Sequence, residues 1–415
     1  MKYTVATIAV MASLASGTAL AAEGPIPSDL GLLSHVFVIM MENHGYSQII
    51  GNPNAPFTNR LAQQANLATN YFAVAHPSLN NYLEVVGGSN FGIQSDNNPN
   101  WHNTSCVNNL HSGTTNTDSP PSPSICPIWG VGTDAPVPAI DCTNEVSGPP
   151  CENNLDGIKS IPASPNTLGI TIADQLTRRY MSWKSYQESL PMSGADGVNA
   201  SDGFYTDSTN FGAITPAQNP ALSSGDLVSL YASKHNPFVY FASVQSGANP
   251  NNSLANSVDW QGPGGLFADL ATGNVPNFSF IVPNQCNDQH GRGNAGAFCN
   301  FDPNDDGSQA GLNPALIYRG DVTVQRLWTA IHASPAWKHG RNAIVILWDE
   351  NDYSTAPNIN QVPVIIDTNY GSHGKTSNRY YTHYSLLKSI ESGFGLPCLN
   401  HACDANVESM TDLFN

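Results

Sequence analysis

Ser34–Gly45, S-H-V-F-V-I-M-M-E-N-H-G, is an apolar run that stops on Glu42-Asn43-His44. Val36, Phe37, Val38, Ile39 and Met40 have the length and composition of a strand, and the lack of alternation predicts one covered on both faces. Open α/β sheets bind ligands at the carboxyl ends of such strands. A carboxylate, an amide oxygen and an imidazole in succession require the chain to turn, and together they offer ligands for a hard cation. An ordinary polar turn is the competing interpretation of this stretch alone.

A second run echoes the first. Ala343–Trp348, A-I-V-I-L-W, predicts a central strand and ends on Asp349-Glu350-Asn351-Asp352. A parallel sheet would bring both acidic ends to one rim, where like charges raise one another's pKa unless a cation joins them. A divalent metal held by Glu42, Asn43, Asp349 and Glu350 is the economical expectation.

Between these runs the chain alternates short helical and extended patterns, which predicts an α/β fold with a mostly parallel sheet. Strands are expected in 68–75, 236–245, 277–282 and 362–366, helical segments near 56–62, 83–86, 266–270, 321–333 and 379–391, and regular structure of either kind at 171–178. In His76-Pro77-Ser78-Leu79-Asn80-Asn81-Tyr82, Ser78 stands at an expected helix start. Free backbone N–H groups there favour an anion, although a serine N-cap explains the same position. After the strand at 277–282, Asp288 and His290 have a spacing that lets both face one centre. Residues 95–165 hold four cysteines and repeated prolines and predict a disulfide-stapled insertion. The acidic run at 302–307 lacks the terminal Glu of a calcium loop and is expected to be a surface turn.

Composition narrows the classes. The 415 residues suffice for one large domain, and 15 Lys and Arg against 32 Asp and Glu leave a formal charge of −17, which disfavours nucleic acid as a partner. Residues 1–22 carry Lys2, an apolar stretch and small residues at Ala19 and Ala21, the pattern of a secretory signal peptide, so 23–415 is expected to be one exported domain. No later stretch is long and apolar enough to anchor it in a membrane. Eight cysteines without a C-x-x-C pattern suit disulfides in an oxidising compartment, with Cys286–Cys299 and Cys398–Cys403 near in sequence. Asn103, Asn251 and Asn277 begin glycosylation sequons.

Taken in order, Glu42-Asn43-His44, His76-Pro77-Ser78-x-x-Asn81-Tyr82, Asn284 with Asp288 and His290, Trp348-Asp349-Glu350, and Gly371-Ser372-His373-Gly374 resemble the secreted phosphoesterase family of acid phosphatases and bacterial non-haemolytic phospholipases C. Asn80 departs from the proline common there. The resemblance implies an alkaline-phosphatase-like fold with helices flanking the sheet, a metal on Glu42, Asn43, Asp349 and Glu350, and Ser78 as nucleophile. It implies that His76, Asn81, Asp288, His290 and His373 position phosphate or move protons, Asp288 also being able to serve a second metal. The expected function is a secreted acid phosphatase acting on small phosphomonoesters through a phosphoserine. Phospholipase C action on phospholipid head groups and a non-catalytic phosphate- or metal-binding role are the alternatives.

Overall fold

The computed structural model describes residues 23–76, 78–91, 169–190, 205–206, 213–214, 230–245, 247–291, 314–351 and 360–415. The eight strands of its main sheet are β1 (His35–Met41), β2 (Asn66–Ala68), β3 (Trp183–Gln187), β4 (Ser257–Asp259), β5 (Phe278–Val282), β6 (Asn342–Trp348), β7 (Val364–Thr368) and β8 (Thr376–Ser377). Their order is β8-β2-β7-β6-β1-β5-β3-β4. Only β7 runs against the rest.

The two apolar runs are neighbours at the centre. β1 and β6 pair in parallel along their whole length, from His35↔Asn342 to Met41↔Trp348. Val36 to Met41 and Ala343 to Trp348 have no solvent exposure, as expected of strands covered on both faces. β5 flanks β1 on its other side, with Ile39 opposite Ile281.

Helices α1 (Pro56–Gln64), α2 (Ser78–Gly87), α3 (Ile172–Arg178), α4 (Leu266–Thr272), α5 (Pro314–Ala333) and α6 (His383–Phe394) pack in two groups: α5 against α1 and α4, and α2 against α6 and α3. Thr171 accepts from the Ala173 amide while Asp174 returns to the Thr171 amide, a capping box that starts α3. Val324, Leu327 and Ile331 form the buried stripe of α5, with Trp328 partly buried beside it. The start of α1 has no cap of its own and is served from α5, where Asp321 accepts from the Phe57 and Thr58 amides at 2.9 and 2.7 Å.

The structure differs from the sequence expectation at several elements. The strand expected in 236–245 is instead a 3-10 turn, Pro237–Tyr240, and a helical turn, Ala242–Gln245. Pro237 has no amide hydrogen for a ladder, and Asn236 is held sideways by Ser257 at 2.6 Å and Ser185 at 3.0 Å. The sheet position is taken by β4, whose Ser-Val-Asp has a single apolar residue. The strand expected over 68–75 breaks after β2: Tyr71–Phe72 pairs with Tyr381–Thr382 in a separate ribbon. Those last two residues are why α6 begins at His383 rather than Arg379.

Asn277, a sequon residue, uses its amide on Ser34 O at 3.0 Å and the Ser182 amide at 2.9 Å, contacts that a glycan would compete with. Cys398–Cys403 is a disulfide. The signal segment, the 95–165 insertion with its cysteines, Cys299 and the acidic run at 302–307 lie outside the described residues. Among the described residues no helix is long and apolar enough to cross a membrane.

Removing the Asp321 cap leaves two buried amides without acceptors. Asp321→Ala should lower the unfolding free energy by about 2 kcal/mol, measured by denaturant titration, and Asp321→Asn, which keeps one amide oxygen, should lose less.

Candidate active site

The register of the central strands sets the site. Beyond the Met41↔Trp348 pair, the Asp349 amide donates to Met41 O at 3.0 Å, so Glu42 and Asp349 leave the sheet together. Asn43 turns the chain through a left-handed φ of 59°, which asparagine tolerates, and its amide donates to Asp349 Oδ1 at 2.9 Å. From β5, the Asp288 carbonyl accepts from the Glu42 amide at 2.9 Å, bringing a third acid to the rim.

Glu42, His235 and Asp288 form a buried cluster able to coordinate a divalent ion, with one ligand atom from each within 4.8 Å of the others. His235 Nε2 lies 3.1 Å from Glu42 Oε1, and its Nδ1 lies 3.5 Å from Asp288 Oδ2. Tyr82 stacks on the imidazole at 5.2 Å and donates to Glu42 Oε1 at 2.5 Å. Burial, then repulsion from Asp349 and Asp288, pushes Glu42 well above the usual carboxylate range. Burial raises Asp288 likewise and lifts Asp349 to about 6, while burial and then neighbouring Lys234 hold His235 well below its usual value.

The donor chemistry fits a cation. Asn43 Oδ1, Asp288 Oδ2 and Asp349 Oδ2 are buried without a hydrogen-bond partner among the described residues. Three oxygens in that condition beside an imidazole kept neutral are disfavoured in apolar surroundings and suited to metal ligation.

Ser78, the first residue of the ten-residue α2, sits beside this cluster. Its Oγ lies 3.2 Å from Glu42 Oε2 and 3.4 Å from Glu350 Oε1. The other Glu350 oxygen faces His76 Nδ1 at 2.8 Å and accepts from Asn81 Nδ2 at 3.0 Å. Glu350 therefore lies outside the close metal cluster and beside Ser78. Asn81 is committed to its own surroundings: Oδ1 accepts from the Val74 and Ala75 amides, both at 3.1 Å, and Nδ2 also donates to Ala75 O at 2.8 Å. The side chain thus shapes the turn into α2, in contrast to the phosphate contact that the resemblance implied. Asn80, where proline was expected, donates to His76 O at 2.9 Å and holds the same turn.

His290 is close by, its ring 5.9 Å from that of His235 and its Nδ1 2.9 Å from Gly291 O. A carbonyl only accepts, so Nδ1 carries the proton. Asn284 accepts from the Cys286 and Asn287 amides at 3.1 Å each and builds the turn that carries Asp288.

His373 is not brought to the rim. It is exposed, 3.8 Å from Asp367 Oδ1, near the end of β7 that pairs with the start of β6. The antiparallel direction of β7 sends the following glycine turn to the opposite end of the sheet. His235 was missed because it lies in a short 3-10 turn, Ser233–His235, with no strand end or motif to mark it.

A second buried histidine supports the rim from below. His383 Nε2 is 2.7 Å from Asp349 O and its Nδ1 is 2.9 Å from Tyr71 OH, and burial lowers its pKa to about 4. Its depressed value means that the buried neutral form is fully favourable above the unfolded value of about 6.5, and that stability is lost as pH falls through about 4. Between pH 7 and pH 4 the wild type should lose about 3 kcal/mol more unfolding free energy than His383→Gln, measured by denaturant titration. A divalent ion at one hundred times its dissociation constant should add about 2.7 kcal/mol of stability. His235→Ala should lose most of that gain, which thermal unfolding with Mn²⁺ or chelator would record.

The chain is 24% identical over 98% of its length to a phosphatidylinositol-3-phosphatase of Mycobacterium tuberculosis, covering 93% of that protein. It is 25% identical to an acid phosphatase of Aspergillus fumigatus and 24% identical to a phosphate-repressible acid phosphatase of Penicillium chrysogenum, over 89% and 93% of this chain. It spans 57% and 65% of those two fungal proteins. A solved protein of the alkaline phosphatase superfamily from Vibrio parahaemolyticus aligns over 90% of this chain and 69% of its own, with a TM-score of 0.44 and 12% identity. The Phosphoesterase family model matches residues 52–299 and 313–397, which is most of the chain, and the protein therefore belongs to the Phosphoesterase family.

Proposed function

We propose that this protein is a metal-dependent phosphomonoesterase of the acid phosphatase type, with Ser78 as nucleophile. The observation that carries the proposal is the position of Ser78 Oγ between Glu42 and Glu350 at the start of α2. Its family and its acid-phosphatase relatives support phosphoester hydrolysis as the general chemistry.

A divalent ion on Glu42, His235 and Asp288, with Asp349 and Asn43 adjoining, would supply charge neutralisation and Lewis acidity at the phosphoryl group. The chain's own residues do the rest. Amides of the first turn of α2 meet the equatorial phosphoryl oxygens. Ser78 Oγ attacks phosphorus in line and its proton passes to Glu350, which His76 and Asn81 hold in place. The P–O ester bond breaks as the departing alkoxide takes a proton from Nε2 of His290, which enters this step as the imidazolium with its Nδ1–H fixed on Gly291. Water then attacks the phosphoserine and gives a proton back to His290, and the Ser78–phosphorus bond breaks as Ser78 Oγ recovers its proton from Glu350, releasing phosphate. The signal-like residues 1–22 support action outside the cytoplasm.

A second possibility concerns the substrate. The Mycobacterium tuberculosis relative is named for a phosphomonoester on an inositol lipid and matches this chain along nearly its whole length. A phosphorylated lipid head group is therefore the substrate to compare with soluble phosphomonoesters.

Wild type and Ser78→Ala should be assayed from pH 4 to 9 on a chromogenic phosphomonoester and its matched phosphodiester, with and without chelator. The expected outcome is monoester turnover that chelator suppresses, and a loss of at least about 10³-fold in kcat for Ser78→Ala. Acid quenching during turnover should trap phosphate on Ser78, visible as a peptide mass shift. Faster diester hydrolysis would point to phospholipase-type chemistry, and no turnover of any phosphoester to a binding role. Mutant turnover equal to wild type would remove Ser78 from the mechanism.

A further inference from the structure

His383 and Tyr71 belong to none of the motifs that point to the site, yet they meet it from beneath. His383 is the first residue of α6 and Tyr71 lies in the separate two-stranded ribbon; neither side chain is exposed. Because Asp349 O can only accept, His383 Nε2 carries the proton and donates at 2.7 Å, and Nδ1 accepts from Tyr71 OH at 2.9 Å. The tautomer is thus set by two partners on opposite sides of the ring.

The carbonyl so held joins Asp349 to Glu350. Other groups of Asp349 are engaged nearby: its amide donates to Met41 O at 3.0 Å, its Oδ1 accepts from the Asn43 amide at 2.9 Å, and its carboxylate also interacts with the Ser78 hydroxyl. Oδ2 alone is buried without a hydrogen-bond partner among the described residues. Rotation of the Asp349–Glu350 peptide would therefore move two functional oxygens together, the open Oδ2 and the Glu350 oxygen 3.4 Å from Ser78. Losing the His383 donor would leave the carbonyl buried and unsatisfied, which favours such a rotation.

We infer that His383 is a positioning residue whose Nε2–H locks the Asp349–Glu350 peptide, with Tyr71 selecting the tautomer that can do so. This rests on the phosphatase mechanism in placing Asp349 beside the metal and Glu350 beside the nucleophile. Hydrogen bonds that orient ligands in this way typically change metal affinity or activity by 10–100-fold when removed.

The amide variants separate donor from packing. His383→Gln places an N–H near the position of Nε2, His383→Asn places it near Nδ1, and His383→Met fills similar volume without a donor. Mn²⁺ affinity is read by calorimetry without substrate, and kcat and KM on a chromogenic phosphomonoester. His383→Met and His383→Asn should each lose about 10–100-fold in Mn²⁺ affinity and kcat with little change in KM. His383→Gln should stay within about threefold of wild type, and Tyr71→Phe should fall between. Equal losses in His383→Gln and His383→Asn would overturn the inference, even if His383→Met fails to fold, and so would wild-type affinity and kcat in His383→Met. A wild type that binds Mn²⁺ with this order of variants but hydrolyses no phosphoester would overturn the phosphatase mechanism alone.

Discussion

The parallel pairing of β1 with β6 is the constraint on which the rest depends. Their backbones match residue for residue from His35↔Asn342 to Met41↔Trp348, so both strands run out at the same level. Each is followed at once by acid, and the Asp349 amide on Met41 O keeps those acids adjacent. The apolar residues that make both strands the centre of the core also remove water from Glu42 and Asp349. Burial then raises the proton affinity of both, with repulsion from Asp349 and Asp288 adding to it at Glu42, and the same condition makes a divalent ion a stabilising partner.

Around that strained rim, hydrogen bonds divide the labour. Asn81, Asn80 and Asn284 bind neighbouring backbone and shape the turns that carry Ser78 and Asp288, and Asn81 also donates to Glu350. The loop after β5 is tied to β6 by Trp348, whose indole donates to Gln289 Oε1 at 2.8 Å. Three β-strands and the start of α2 thus bring their residues to one place through backbone register and amide contacts. Among basic side chains, buried Lys234 lies near enough to lower the proton affinity of Glu42, Asp288 and Asp349.

How far the site was legible can be followed residue by residue. The two apolar runs ending in acid were visible because a strand buried on both faces has no alternation to disguise it. Ser78 was marked by its place before a helical pattern, and Asp288 and His290 by the strand before them. The strand expected at 236–245 failed because the same apolar letters also serve a 3-10 turn once Pro237 removes an amide. β4 was invisible because three residues, one of them apolar, carry no period.

What the sequence alone determined is which segments are buried and which polar residues stand at their ends, because hydrophobic patterning and local start and stop signals act over a few residues. It thereby marked Glu42, Ser78, Asp288, Asp349 and Glu350, and its ordered motifs matched the family to which the chain belongs. Tertiary structure alone decided which of these meet. It brought His235 to Glu42 and Asp288 from a turn without signature, turned Glu350 toward Ser78 and His76, and sent His373 to the far end of the sheet. The reason is that strand direction and register are set by pairing between residues hundreds of positions apart, and one antiparallel strand is enough to move a glycine-flanked histidine from the active rim to the opposite edge.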